Sequence, residues 1–340
     1  MAKKKKTRLE DIARECGVTK GLVSRALAGK HNVGDETRSV IMQKAVELDY
    51  DFTKLRAKSK KKTSVVVTVA HEILMKEDFW QPILKNVYAT LNRASIKLEY
   101  FVFDSQNLDT DSVRALKDNT CIAFIIIHKN PDTLFKELKK FNKPIIEVDP
   151  KYMHFTGSTQ IKYSNYTSMY EATQKLIDYG HKHIMFYGSD AHSMSFRERH
   201  EGFEACIDNN KNNGVKGYSV IFDNSDLQYS DNELFINTLK NNKDITGIVC
   251  ANDIVALNVY TLLKEQGKKI PDDYSVIGFD NIRGGRYSDP ALTTFHVPRE
   301  QIGDEIGLYI LRLMQENKPQ YSEFIIRCNF IERDSIKDIK

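Results

Sequence analysis

Thr7-Arg8-Leu9-Glu10-Asp11-Ile12-Ala13-Arg14-Glu15-Cys16-Gly17-Val18-Thr19-Lys20-Gly21-Leu22-Val23-Ser24-Arg25-Ala26-Leu27 is the stretch on which the reading of this 340-residue chain turns. Leu9, Ile12 and Ala13 recur at i, i+3 and i+4, the inward stripe of a short helix over residues 9–16. Gly17 stops it, because glycine tolerates the left-handed conformation that closes a helix. Val18 fills the turn, and Thr19 offers a side-chain oxygen to cap a second helix ending near residue 27. There Leu22, Val23 and Ala26 face inward and leave Thr19, Lys20, Gly21, Ser24 and Arg25 on the opposite face. Asp35 caps a third helix over residues 36–48, which closes a small core through Val40, Ile41, Ala45 and Leu48. The pattern predicts a helix-turn-helix whose second helix enters the major groove of DNA. Taken alone, it also fits a three-helix bundle with a charged surface.

Charge distribution separates those readings. Residues 1–63 hold 17 Lys and Arg against 8 Asp and Glu, a net +9, whereas the remainder holds 33 against 38, a net −5. A basic head on a mildly acidic body is the electrostatic footprint of nucleic-acid binding confined to one end. The composition is otherwise that of a globular protein, and 340 residues suffice for two or three domains with buried cores. Five cysteines lie without C-x-x-C spacing, four of them in apolar runs, which predicts buried thiols in a reducing compartment. No apolar run reaches 18 residues and none follows the N-terminal lysines, so a cytoplasmic chain without a membrane partner is expected.

Glu10-Asp11-Ile12-Ala13, Gly17-Val18-Thr19, Val23-Ser24-Arg25-Ala26-Leu27 and Glu36-Thr37-Arg38 closely resemble the headpiece of the LacI/GalR family of bacterial transcription regulators. The resemblance implies that the second helix reads base edges at Thr19, Lys20, Gly21 and Arg25. Arg25 suits bidentate donation to guanine, Lys20 acts as a point charge, and Gly21 permits close approach only. Thr7, Asn32 and Thr37 match positions that touch phosphates, contacts that fix register without reading sequence. Ala28 stands where the family commonly has Asn.

Residues 51–62 are basic and poor in large apolar residues. The resemblance makes this linker a hinge helix that folds on DNA and wedges an apolar side chain into the minor groove. Tyr50 matches that pattern, but Phe52 replaces the usual Pro and Ser59 stands where the wedge Leu would fall. Leu55 is the aliphatic candidate that remains, and Lys54, Arg56 and Lys58 supply phosphate contacts.

From residue 63 short apolar strands alternate with helical stripes, the signature of a parallel sheet with helices on both faces. The pattern pauses in a loop over residues 150–165, then restarts. The fold class expected is therefore an N-terminal helix-turn-helix followed by two doubly wound α/β lobes. The boundaries are 1–50 for the head, 51–62 for the linker, 63–160 with 292–322 for one lobe, and 161–291 with 323–340 for the other. This body resembles the periplasmic sugar-binding-protein fold that the family carries, most strongly at Ala251-Asn252-Asp253, Ile270-Pro271-Asp272-Asp273 and Val276-Ile277-Gly278-Phe279-Asp280-Asn281.

Ligands of open α/β sheets bind just beyond strand ends. Asp149, Asn252 and Asp280 each follow a predicted strand, and Arg199 matches the family's Arg-x-x-Gly-aromatic element. Asp and Arg on either side of an interlobe cleft accept from and donate to vicinal hydroxyls, as a sugar requires. Phe79 and Trp80, the sole tryptophan, sit where the family lines its pocket with aromatics. The same residues have plainer uses: Asn252 and Asp280 as caps, Arg199 in a surface ion pair, Trp80 as core. No nucleotide-binding glycine motif or nucleophile elbow is present, and His181, His183, His192 and His200 lack a zinc-protease spacing. Neither catalytic nor metal-binding residues, nor a cofactor, are expected. The reading is a dimeric repressor of a near-palindromic double-stranded operator, switched by a small carbohydrate. A purine, a phosphosugar or a partner protein as effector, or a stand-alone cytoplasmic sugar-binding protein, are the alternatives.

Overall fold

The computed structural model describes residues 7–27, 33–52, 63–74, 77–105, 107–116, 120–128, 130–150, 157–189, 193–222, 231–315 and 321–340. Asn32, Lys54, Leu55, Arg56 and Lys58 of the expected DNA contacts lie outside them. By contacts the chain divides into two units, residues 1–148, 155–160 and 299–322, and residues 149–154, 161–298 and 323–340. The second unit therefore takes residues 292–298, which the sequence reading gave to the first. Pairing explains it, because a strand at Thr294–His296 is laced antiparallel to one at Asn329–Ile331.

The first unit begins with three helices, α1 (Leu9–Glu15), α2 (Lys20–Leu27) and α3 (Asp35–Glu47). Gly17 has φ +64° and breaks the chain between the first two, and the Thr19 hydroxyl caps α2 by accepting the Leu22 N–H at 3.2 Å. Ile12, Val23, Ala26, Leu27, Ile41, Met42 and Ala45 form the small core. Two expectations shift here. Gly34 rather than Asp35 is the N-cap of α3, and Val40 is 52 % exposed, with Arg38 buried instead and donating to the Val33 carbonyl. Phe52 tucks under Tyr50, ring edge to face at 5.4 Å.

The body of this unit runs β1 (Thr63–Ala70), α4 (His71–Leu74), α5 (Glu77–Arg93), β2 (Ile96–Phe103), α6 (Thr110–Ala115), β3 (Cys121–Ile127), α7 (Asp132–Lys139) and β4 (Ile145–Val148). Its strands are parallel in the order β4-β3-β1-β2, with Val67 opposite both Ile125 and Tyr100. β1 and β3 are apolar almost throughout because they are buried on both faces.

Between Gln160 and Ile161 the chain passes to the second unit inside a strand, β5 (Thr159–Tyr163), in what the sequence reading took as loop. Every residue of β5 is buried, polar ones included, so neither alternation nor an apolar run marks it. The second unit continues with α8 (Asn165–Asp178), β6 (His183–Gly188), α9 (Met194–Asn210), β7 (Lys216–Ile221), α10 (Asn232–Asn241), β8 (Gly247–Cys250), α11 (Asp253–Glu265), β9 (Ser275–Ile277), α12 (Arg283–Arg286) and β10 (Thr294–His296). Its parallel sheet has the order β7-β6-β8-β9. The chain returns to the first unit as α13 (Arg299–Leu313), which lies against α5; a Cβ at Gly303 would sit 2.4 Å from the Ile83 carbonyl oxygen. It ends in the second unit with β11 (Glu323–Ile326) and β12 (Asn329–Ile331). Cys121, Cys206, Cys250 and Cys328 are buried thiols, as the apolar runs around them predicted.

Candidate functional site

The candidate residues fall into two groups, one in the head and one at the strand ends.

In the head, α2 turns Thr19, Lys20, Gly21 and Arg25 to solvent, with Ser24 half-buried. Space over Gly21 is bounded by Arg25 itself, whose Nη1 would lie 3.6 Å from a Cβ there. Lys20 pairs with Glu10 of α1 at 2.5 Å, with both side chains more than half exposed, so a solvated carboxylate holds its ammonium only weakly. The Thr7 hydroxyl donates to the Leu48 carbonyl, which ties the start of the head to the end of α3. Thr37 is exposed in the first turn of α3. Two further contacts tie this head to the body of its unit: Arg93 Nε lies 3.0 Å from Asp49 Oδ1, and Gln315 donates to the Leu27 carbonyl at 3.2 Å.

At the strand ends, backbone geometry marks the positions first. His128 after β3, Asp149 after β4 and Asp280 beyond β9 have φ of +56°, +51° and +109°. Non-glycine residues avoid that region unless the surroundings hold them there, and such strain clusters at functional sites. His128 was not singled out from sequence. Its ring lies 5.5 Å from Trp80, which is 4 % exposed and packs edge-on to Phe79 at 4.8 Å. In the first unit the tryptophan is therefore mostly interior.

The second unit gathers Asp149, Arg199, Asn252 and Asp280. Arg199 is 1 % exposed, and its donors fan out three ways: Nε to Asn165 Oδ1 at 3.0 Å, Nη1 to the Ala251 carbonyl at 2.6 Å and Nη2 to Asp280 Oδ1 at 3.3 Å. Its guanidinium carbon stands 3.7 Å over the Phe279 ring centroid, and Tyr163 and Phe196 close the other sides. Burial works most strongly against its charge, but Asp280, Tyr163 and Asp149 together outweigh it and hold the pKa above the ordinary arginine value. The surface ion pair weighed from sequence is thereby excluded.

Asp149 accepts from the Ser195 hydroxyl, and Tyr163 beside them has its phenol pushed well up by burial and by the Asp149 charge. Asn252 is the N-cap of α11, its Oδ1 accepting the Val255 N–H at 2.9 Å, so the capping use applies to it. Next to it Asp253 is buried and accepts from Thr294 Oγ1 at 2.6 Å and the Ile282 N–H at 2.8 Å. Burial first, and the Asp280 charge second, push its carboxyl up to about 8.

α9 reaches this position because Gly202 lets it lie on α8; a Cβ there would fall 2.2 Å from the Tyr166 carbonyl oxygen. Sequence reasoning missed Tyr163, Asn165 and Ser195. For Ser195 a signal existed: it precedes Arg199 by one helical turn and shares its face. Of the histidines, His181 bonds to Thr246 and the Lys337 carbonyl, and His183 to Tyr218. Among the described residues no cluster of His, Cys, Asp and Glu fits a metal ion, and no helix is long and apolar enough to cross a membrane.

Comparison with known proteins covers both regions. The model described as bacterial regulatory proteins, lacI family, matches residues 8–51, and that of the periplasmic binding protein-like domain matches residues 173–336. The HTH-type transcriptional repressor PurR of Mannheimia succiniciproducens is 24% identical over 343 residues, spanning 97% of this chain and 99% of its own. Among solved structures, a complex of the transcriptional regulator CelR with cellobiose superposes with a TM-score of 0.69 at 20% identity, covering 97% of this chain and 100% of that one. A lac repressor dimer bound to operator and the anti-inducer ONPF gives 0.65 at 19% identity, covering 98% and 100%. At such identities the superpositions establish a common fold.

Proposed function

Because the chain belongs to the lacI family of bacterial regulatory proteins, DNA-binding transcription regulators and not enzymes, we propose that it is a cytoplasmic repressor released from its operator by a neutral, hydroxyl-rich ligand, a sugar or sugar derivative. The observation that carries the ligand class is the charge of the strand-end cluster in the second unit. Asp149 and Asp280 bring two buried carboxylates against the single guanidinium of Arg199. Asp253, with its carboxyl pushed up to about 8, adds little negative charge at neutral pH. Such a cluster accepts hydrogen bonds from hydroxyls and repels a phosphate. We assign Asp149, Arg199, Asn252 and Asp280 of the second unit to the ligand.

One head offers few base contacts, so specific binding calls for two copies on a near-palindromic site. Exposed apolar side chains support a homodimer. They are Tyr88, Tyr100 and Val102 in the first unit, the latter two on the sheet-edge strand β2, and Leu234, Ile254 and Tyr287 in the second. Thr7, Thr19, Lys20, Gly21, Ser24, Arg25, Asn32 and Thr37 are the DNA contacts we assign to the head, and Lys54, Leu55, Arg56 and Lys58 those of the linker. The second reading is a purine effector, favoured by relatives named PurR.

The test is an operator-binding titration in the presence of neutral sugars (cellobiose and ribose among them), their phosphate esters, and purine bases. A neutral sugar is expected to weaken operator binding by about 5–150-fold, and operator to weaken that sugar by the same factor. Response to a phosphate ester alone, or to a purine alone, overturns the ligand class.

A further inference from the structure

Arg199 is held from a distance as well as by its immediate neighbours. Its Nε donates to Asn165 Oδ1, and the other end of that amide, Nδ2, donates to Glu198 Oε2 at 2.9 Å. Because a guanidinium only donates, the amide has one orientation that serves both links. The second oxygen of Glu198 takes Lys162 Nζ at 3.1 Å, and the same ammonium reaches Glu323 Oε1 at 2.5 Å. The path from Arg199 to Glu323 is thus continuous through three side chains.

Burial sets how stiff this path is. Asn165 is 1 % and Lys162 6 % exposed, so the inner links lie away from water, where charge-assisted hydrogen bonds are strongest. Burial opposes the charge on Lys162, yet its bonds to Glu323 and Glu198 keep its pKa above the ordinary lysine value. Both ends of the ion pair sit where the chain changes unit. Lys162 is the second residue after β5 enters the second unit, and Glu323 opens β11, on which the chain re-enters it.

We infer that Asn165, Glu198 and Lys162 are positioning residues that orient the Arg199 guanidinium and carry its engagement to Glu323, so that a ligand drawing on Arg199 acts on the strands by which the chain passes between units. The consequence for ligand response rests on the proposed function; the relay is measurable without ligand.

The experiment follows the Arg199 Nε–H resonance in full-length, ¹⁵N-labelled protein, assigned by its loss in Arg199→Lys. Lys162→Met is expected to shift it and speed its exchange with water at least about ten-fold, and Lys162→Arg to restore it. Glu323→Gln, at the more exposed end of the chain, is expected to do the same to a smaller extent. Glu332→Gln, whose ion pair with Lys175 at 2.9 Å lies off this path, leaves it unmoved. An Arg199 signal unchanged in both Lys162→Met and Glu323→Gln, or equally changed in Glu332→Gln, overturns the relay. Should Lys162→Met fail to fold, Glu323→Gln decides. A negative result leaves the sugar titration untouched, so the two ideas fail separately.

Discussion

The head and the strand-end cluster hold their charged groups in opposite ways. In the head, Thr19, Lys20 and Arg25 stand exposed on one short helix, engaged at most by a solvated partner such as Glu10. In the second unit, Arg199 is enclosed by groups from β5, α8, α9 and the segments after β8 and β9, with one hydrogen bond already made by each of Nε, Nη1 and Nη2. A surface reader waits for a polyanion that arrives with its own field, so it stays solvated. The site we propose for a small uncharged molecule is dry and fixed beforehand, and internal hydrogen bonds do the fixing. The two regions should therefore answer mutation in opposite currencies, one in binding and the other in stability.

The largest effect is expected at Arg199. Arg199→Met leaves Asp280, Asn165 and the Ala251 carbonyl without their donor, and chemical denaturation should register a loss of about 3–5 kcal/mol; a loss under about 1 would place Arg199 with the surface charges. Gly202→Ala comes next. Its Cβ would meet the Tyr166 carbonyl at 2.2 Å, so α9 must move off α8 at a cost of about 1–3 kcal/mol, readable in the same denaturation curves. Arg25→Ala should leave the melting temperature alone and remove about 1–3 kcal/mol of discrimination between operator and scrambled DNA. An unchanged affinity ratio would show that α2 reads sequence through other residues.

The pH response sharpens the contrast further. Asp253 carries a folded-state pKa of about 8 against an ordinary 3.8, so between those values the native state holds a proton that the unfolded chain has released. Stability is then greatest at the acidic end of that window and falls as pH rises through it, by at most about 1.4 kcal/mol per pH unit from this group. Denaturation midpoints at pH 5 and pH 8 check the sign, and Asp253→Asn should flatten the difference. The smallest effect is at Lys58→Ala, expected to lower the salt slope of DNA binding by about one and nothing else.

What the sequence disclosed follows the same division. The head was legible because its information is local: a stripe at i, i+3 and i+4, the Gly17 stop and the Thr19 cap recur within a few residues of one another. Strands such as β1 and β3 were legible because burial on both faces leaves an unbroken apolar run. β5 was not, since its Thr159, Gln160 and Lys162 are buried polar residues whose partners include Tyr309, Glu198 and Glu323, some 36 to 161 positions away. Likewise Arg199 was singled out from a motif and Asp280 from its place after a strand, whereas Asn165 and Tyr163, which complete the enclosure, belong to the segment around β5. Val40 shows the converse error. It fits a helical stripe, yet it is exposed on α3 while Arg38 turns inward to reach the Val33 carbonyl.

A head that reads sequence and is used in pairs selects an inverted repeat. Selection from a random DNA pool at near-physiological salt, run in parallel with the parent and with Arg25→Ala, measures that directly. Enrichment of one inverted repeat by the parent and its loss in the variant is the expected result. Enrichment of no symmetric site by the parent, or of the same repeat by both proteins, would contradict it.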